Sequence, residues 1–110
     1  MNLANLRCEY RSNPLGIDIL EPRLSWELVS DRRGARQTAY HVLVEDGTGV
    51  LWDSGKVVSD QTVHVVYQGK SLSSRQRVTW RVRVWDENDG ESDFSSPAWW
   101  EMGLLAAEDW

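Results

Sequence analysis

The chain has 110 residues, a formal net charge of −5, seven tryptophans and one cysteine. That length makes a single domain, able to bury roughly two thirds of its unfolded surface. The acidic balance argues against nucleic-acid binding, which relies on a basic surface, and the lone Cys8 excludes an internal disulfide.

The opening residues, MNLANLRCEY, lack a basic cluster followed by an apolar run and do not read as a secretory signal. No apolar stretch approaches the roughly 20 residues that span a bilayer, so no membrane partner is expected. With the lone thiol, this predicts a reducing, cytoplasmic compartment, unless the chain starts inside a longer one that carries a leader.

Period-two alternation dominates from there on, and no helical period appears before the last few residues. Leu6, Cys8 and Tyr10 alternate with charged residues, and Asn13-Pro14-Leu15-Gly16 then breaks the run. Leu24, Trp26 and Leu28 make the second candidate strand, followed by Asp31-Arg32-Arg33-Gly34. Tyr40, Val42 and Val44 make the third. Asp46-Gly47-Thr48-Gly49 reads as a hairpin turn leading into a short apolar run, Val50 to Trp52. Val63 to Tyr67 is β-branched and aromatic. Val78, Trp80, Val82 and Val84 form the longest apolar row, ending at Asn88-Asp89-Gly90, and Ala98 to Leu104 is the last candidate. About seven short strands with this punctuation predict an all-β fold: a two-sheet antiparallel sandwich of fibronectin type III or immunoglobulin-like type. Its expected core is Trp26, Tyr40, Val42, Trp80, Val82 and Val84. The sandwich should occupy residues 1–104, with 105–110 beginning a linker to a missing downstream domain, because a terminal Trp110 needs something to pack on.

Five blocks in register carry a family resemblance: LRCEYRSNPLGID, PRLSW, GARQTAYHVLV, LWDSGKVVSDQTVHVVYQGKSL and TWRVRVWDENDGESDFSSPAWWEMGLL. In this order they resemble the N-terminal region of bacterial α-L-rhamnosidases of glycoside hydrolase family 78. The resemblance implies an accessory β-sandwich, with the sugar-cleaving site in a helical barrel hundreds of residues downstream. No catalytic residue can therefore be carried over to this chain. The resemblance also implies partners: the downstream domains of a parent hydrolase.

Residue by residue, reactive chemistry is hard to place. Two carboxyl groups roughly 5–10 Å apart could serve glycoside hydrolysis. Glu27 and Glu45, on the polar sides of their strands, read better as solvated or facing arginines across the ladder. Asp86-Glu87-Asn88-Asp89-Gly90 imitates a calcium loop, but its glycine stands at the fifth place and no closing glutamate follows. His41 and His64 lie on separate runs, so no metal site is expected, and no cofactor motif is present. Cys8 falls on an apolar face as a small buried hydrophobe.

The stretch RVTWRVRVWD puts Arg77, Arg81, Arg83 and Trp85 on one face. In the plain reading, arginine stems cover Trp85 and their heads meet acidic residues on neighbouring strands. Two functional readings stand beside it. Trp85 with Trp99 or Trp100 could form an exposed platform for a rhamnose-containing glycan, or the face could dock a partner domain, where Arg and Trp make good anchors. The candidate carbohydrate-binding or interdomain residues are thus Arg81, Arg83, Trp85, Trp100 and Trp110. Since Trp99 and Trp100 are adjacent, one fills the core and the other faces out.

Overall fold

A computed structural model describes residues 2–9, 15–17, 21–29, 36–88 and 90–103. Among the described residues there are eight strands: β1 (Asn2–Cys8), β2 (Arg23–Val29), β3 (Gln37–Asp46), β4 (Gly49–Asp53), β5 (Val57–Val58), β6 (Val65–Val66), β7 (Arg77–Asp86) and β8 (Ala98–Glu101). The expected turns at Asn13-Pro14 and at 31–34, the domain boundary at 104, and the segment 105–110 with Trp110 lie outside the described residues.

The strands form two antiparallel sheets. One has the order β1-β2-β6; the other has the order β4-β3-β7-β8, with β5 also pairing with β3. The long strands follow from their alternation. In β7, Val78, Trp80, Val82 and Val84 are buried while Arg77 is exposed and Arg81 and Arg83 are partly covered. In β3, Tyr40, Val42 and Val44 match them across the ladder, with Val42 opposite Val82 and Val44 opposite Trp80. The expected core residues all lie in one buried cluster, joined by Tyr67, Trp100 and Met102. Its aromatics meet edge to face: Trp26 and Tyr40 at 5.4 Å, Trp52 and Tyr67 at 5.6 Å, Tyr67 and Trp100 at 5.9 Å. These are favourable quadrupole geometries.

The β3–β4 hairpin forms where Asp-Gly predicts it. Asp46 Oδ1 accepts hydrogen bonds from the Thr48 backbone N–H (2.8 Å) and the Thr48 hydroxyl (2.6 Å), closing an Asx turn. The eighth strand, beyond the seven expected, is β5. The chain leaves β4 through Ser54 and Gly55, and Gly55 takes φ +64°, open to glycine at little steric cost. Asp53 Oδ1 accepts the Gly55 N–H at 3.0 Å. Ser54 exchanges bonds with Val42 on β3, its N–H reaching the Val42 carbonyl and its hydroxyl accepting the Val42 N–H. Thus β4 and β5 are two pieces of one edge, divided by a bulge.

The two sides of the sandwich differ. On one side Ile17 bridges Met102 in parallel, and the Ile17 N–H donates to Glu101 while Gly103 donates back to Ile17. This stitches the segment after β1 to the end of β8. On the other side, β4 and β5 face the two-residue β6 across an open groove lined by Tyr40, Trp52, Ser54, Val57, His64 and Val65.

Candidate functional site

The outer face of the larger sheet carries the residues singled out from RVTWRVRVWD. Register fixes their neighbours: His41 lies opposite Arg83, Leu43 opposite Arg81, Glu45 opposite Thr79, and Trp99 opposite Thr79 on the far side. Each arginine finds an acid. Arg81 Nη2 reaches Glu45 Oε1 at 3.0 Å, Arg77 Nη2 lies 3.6 Å from Glu101 Oε1, and Arg83 Nη1 pairs with Glu91. Arg83 Nε–H also donates to His41 Nδ1 at 3.1 Å. The His41 proton therefore sits on Nε2, which meets Asp53 Oδ1 at 2.5 Å. The result is a polar chain, Glu91–Arg83–His41–Asp53, running across three strands.

The aromatic residues complete this face, with arginine and lysine side chains lying over the Trp85 ring as the plain reading expects of the arginines. Trp85 is only 7% exposed. Its parity places it outside, but Lys56 Nζ lies 4.8 Å and the Arg83 guanidinium 5.3 Å from its ring centroid. The returning chain also bridges Trp85 through Glu91. Phe94 packs on both Arg83 (4.8 Å) and His41 (5.3 Å). Trp99 is the outward member of its pair, with the Arg77 guanidinium 4.4 Å above its ring.

Trp100 requires a correction. It is fully buried, because the pairing of Trp80 with Ala98 sets Trp100 opposite Val78 on the core side. Its indole N–H has no hydrogen-bond partner among the described residues. The stacking platform expected of Trp85 with Trp99 or Trp100 is therefore not formed. Trp100 is inside, Trp85 is covered, and Trp99 stands six residues of strand away from Trp85, about 20 Å.

The segment 91–97 supports this face by an arrangement invisible to periodicity. It runs beside β7 without being a regular strand, and two serine hydroxyls substitute for backbone acceptors. Val82 N–H donates to Ser95 Oγ (3.1 Å) and Val84 N–H to Ser92 Oγ (3.0 Å). The two serine N–H groups return bonds of 2.8 Å to the Val82 and Val84 carbonyls. The turn preceding this segment is held by Asp86, whose Oδ1 accepts the N–H groups of Asn88 and Gly90. That is the turn reading of the calcium-like stretch, with Asp89 outside the described residues.

A second feature missed by sequence reasoning is Gln37, buried at 2% exposure. A register shift between Gln37 and Ala39 against β7 turns it inward. Its Oε1 accepts the Trp26 indole N–H at 3.0 Å, and its Nε2 donates to the carbonyls of Ser59 (3.0 Å) and Gln61 (2.9 Å).

The electrostatics do not favour acid–base chemistry at these positions. The Gly55 N–H and the bond from His41 hold the Asp53 carboxyl below the usual carboxylate range. The hydroxyl and N–H of Thr48, with Gln76, do the same for Asp46. A general acid needs the opposite shift. Burial pushes the Cys8 thiol up to about 12, with Glu9 adding to the effect, so it is a packed hydrophobe and not a nucleophile. Glu27 accepts the Asn5 amide at 2.8 Å, and Glu45 meets its arginine, as expected of both. Among the described residues, no three His, Cys, Asp or Glu side chains form a metal-binding group.

Comparison with known proteins matches this architecture. An α-L-rhamnosidase of Streptomyces avermitilis is 50% identical over 107 residues, covering 93% of this chain and 10% of the relative. One from Alteromonas sp. is 43% identical over 105 residues, covering 89% of this chain and 11% of the relative. The crystal structure of the Streptomyces avermitilis α-L-rhamnosidase complexed with L-rhamnose superposes with a TM-score of 0.94 at 46% identity, over 99% of this chain and 11% of that one. The α-L-rhamnosidase from Dictyoglumus thermophilum gives a TM-score of 0.94 at 38% identity, over 100% of this chain and 13% of that one. The chain thus spans about a tenth of the curated relatives it matches. The family model of the Rha78A-like N-terminal immunoglobulin domain matches residues 3–106, and the chain belongs to that family.

Proposed function

We propose that this chain acts as a non-catalytic packing domain of a larger α-L-rhamnosidase, an enzyme that removes terminal α-L-rhamnose from glycosides. On this reading its work is to hold neighbouring domains in place. The observation that carries it is the match to relatives in which the same sandwich makes up only about a tenth of the chain. The geometry agrees: aromatic side chains fill the space between the sheets, and the outer arginines are neutralised by their own acids. The glycan-binding alternative lacks a stacking platform, because Trp100 is in the core and Trp85 is covered.

The test exchanges this chain for the matching segment of the Streptomyces avermitilis α-L-rhamnosidase and follows unfolding by calorimetry. The exchanged enzyme should melt without a separate transition at the isolated chain's temperature. A domain that melts there at its own temperature, indifferent to its neighbours, contradicts the packing role.

A further inference from the structure

The groove between the β4–β5 edge and β6 lies apart from the arginine-lined outer face. We propose that it binds a single neutral sugar ring. The proposal goes beyond the packing role and does not depend on it, since a domain can hold its neighbours with or without a ligand in this groove.

Register explains the walls. Val57 lies opposite Tyr40 and Trp52 opposite the buried Val44, so these side chains face inward from the larger sheet. Val65 comes from the smaller sheet, paired with the buried Leu24. Both rings are held from behind by a second aromatic: Trp26 meets Tyr40 edge to face at 5.4 Å, and Tyr67 meets Trp52 at 5.6 Å. The groove is therefore pre-formed. Its volume, about 380 Å³, falls within the roughly 300–1,000 Å³ of small-molecule sites.

Polar groups around this groove are left unspent. Tyr40 is only 8% exposed, yet its hydroxyl makes no hydrogen bond among the described residues. The Trp52 indole N–H and the Gln68 side-chain amide make none there either. Gln61 gives its amide hydrogens to the carbonyls of Val63 and His64, which leaves its Oε1 as a bare acceptor. The Ser54 hydroxyl, by contrast, is fully used, accepting the Val42 N–H and donating to the Gly55 carbonyl. A largely buried hydroxyl without a partner is rare in a folded protein and calls for one from outside.

The ligand class follows from what the walls hold and lack. Among the described residues no carboxylate, ammonium or guanidinium lines the groove, so an ion finds no counter-charge in it. A hydrocarbon would leave the polar groups of Tyr40, Trp52, Gln61 and Gln68 without partners. An extended peptide needs a strand edge to pair with, and β5 and β6 are two residues each. A sugar ring matches both halves of the lining. Its C–H face packs on Trp52, Val57 and Val65, while its hydroxyls donate to Gln61 Oε1 and accept from the Tyr40 O–H and the Trp52 N–H.

Heteronuclear NMR of the isotope-labelled chain tests this. It is titrated with methyl α-D-glucoside and with methyl α-L-rhamnoside, each to about 100 mM, well above the roughly millimolar dissociation constant that a ligand this small reaches. Saturable shifts of the Trp52 indole and of the Gln61 and Gln68 amides are expected with one sugar or both, while the Trp99 indole on the outer face stays unmoved. Tyr40→Phe and Gln68→Ala should each weaken binding about 3–10-fold, the loss of one hydrogen bond. Gln68 is exposed, so its variant keeps the fold even if Tyr40→Phe does not. Cyclohexanol, a ring with one hydroxyl, should give no saturable shift. The absence of a saturable shift with either sugar overturns the site. Shifts centred on Trp99, cyclohexanol binding as tightly as the sugars, or full affinity in Gln68→Ala and in a folded Tyr40→Phe overturn it equally. The packing role stands or falls separately, on the calorimetry of the exchanged enzyme.

Discussion

Replacing Gln37 by leucine isolates the buried polar knot. The side chains are close in volume, so the change removes hydrogen bonds while leaving little cavity. It orphans the Trp26 indole N–H and takes one donor each from the carbonyls of Ser59 and Gln61. An unsatisfied buried donor or acceptor costs about 1–3 kcal/mol. The indole bond is fully buried, while the two amide bonds are only partly so and water can replace them in part. The expected loss is therefore about 2–4 kcal/mol, a large share of a small domain's total of roughly 5–15 kcal/mol. Urea unfolding followed by tryptophan fluorescence measures it. With a slope of about 1–2 kcal/mol per molar, the midpoint should fall by roughly 1–4 M. A cycle with Trp26→Phe should show strong coupling, since once the indole N–H is gone its share of the penalty is gone too. A loss below about 0.5 kcal/mol, typical of an exposed substitution, or strict additivity with Trp26→Phe, would refute the reasoning.

Other predictions rest on separate contacts. A Cβ on Gly69 would lie 2.4 Å from Trp52 Cβ and 2.5 Å from the Leu51 carbonyl oxygen. Gly69→Ala should therefore lower stability by about 1–3 kcal/mol in the same urea assay, as overpacking against fixed atoms does. Because Asp46 and Asp53 have folded pKa values below their unfolded ones, their stabilisation is present above the unfolded pKa and lost as pH falls through the folded values. Melting temperature should be flat above about pH 5 and fall below about pH 4, and the double variant Asp46→Asn, Asp53→Asn should flatten that fall. Cys8, with its thiol near 12, should react with a disulfide reagent at neutral pH only as fast as the domain opens, and reaction should become complete in denaturant.

What the sequence revealed, and what it hid, follows from the range of each interaction. The strands β2, β3 and β7 and their buried residues were legible because alternation is a local property of the chain. That Glu45 is solvated or faces an arginine was expected from its polar face, but that the arginine is Arg81 needed the register of β3 on β7. The strand β5 was not legible, since two valines carry no period and their place depends on the Ser54–Gly55 bulge. Gln37 was missed because a bulge reverses its face, and bulges leave no periodic signature. The choice between Trp99 and Trp100 needed the register of β8 on β7, which no property of either strand alone determines. Trp85 was placed on the correct face, but the Lys56 side chain and the 91–95 return that cover it come from distant parts of the chain.

The most direct check on a packing domain without chemistry of its own is a steady-state assay of the isolated chain with a chromogenic aryl α-L-rhamnoside. The account predicts no release above buffer, at any pH at which the domain stays folded. Sustained turnover that co-purifies with the chain and is lost on unfolding would contradict it.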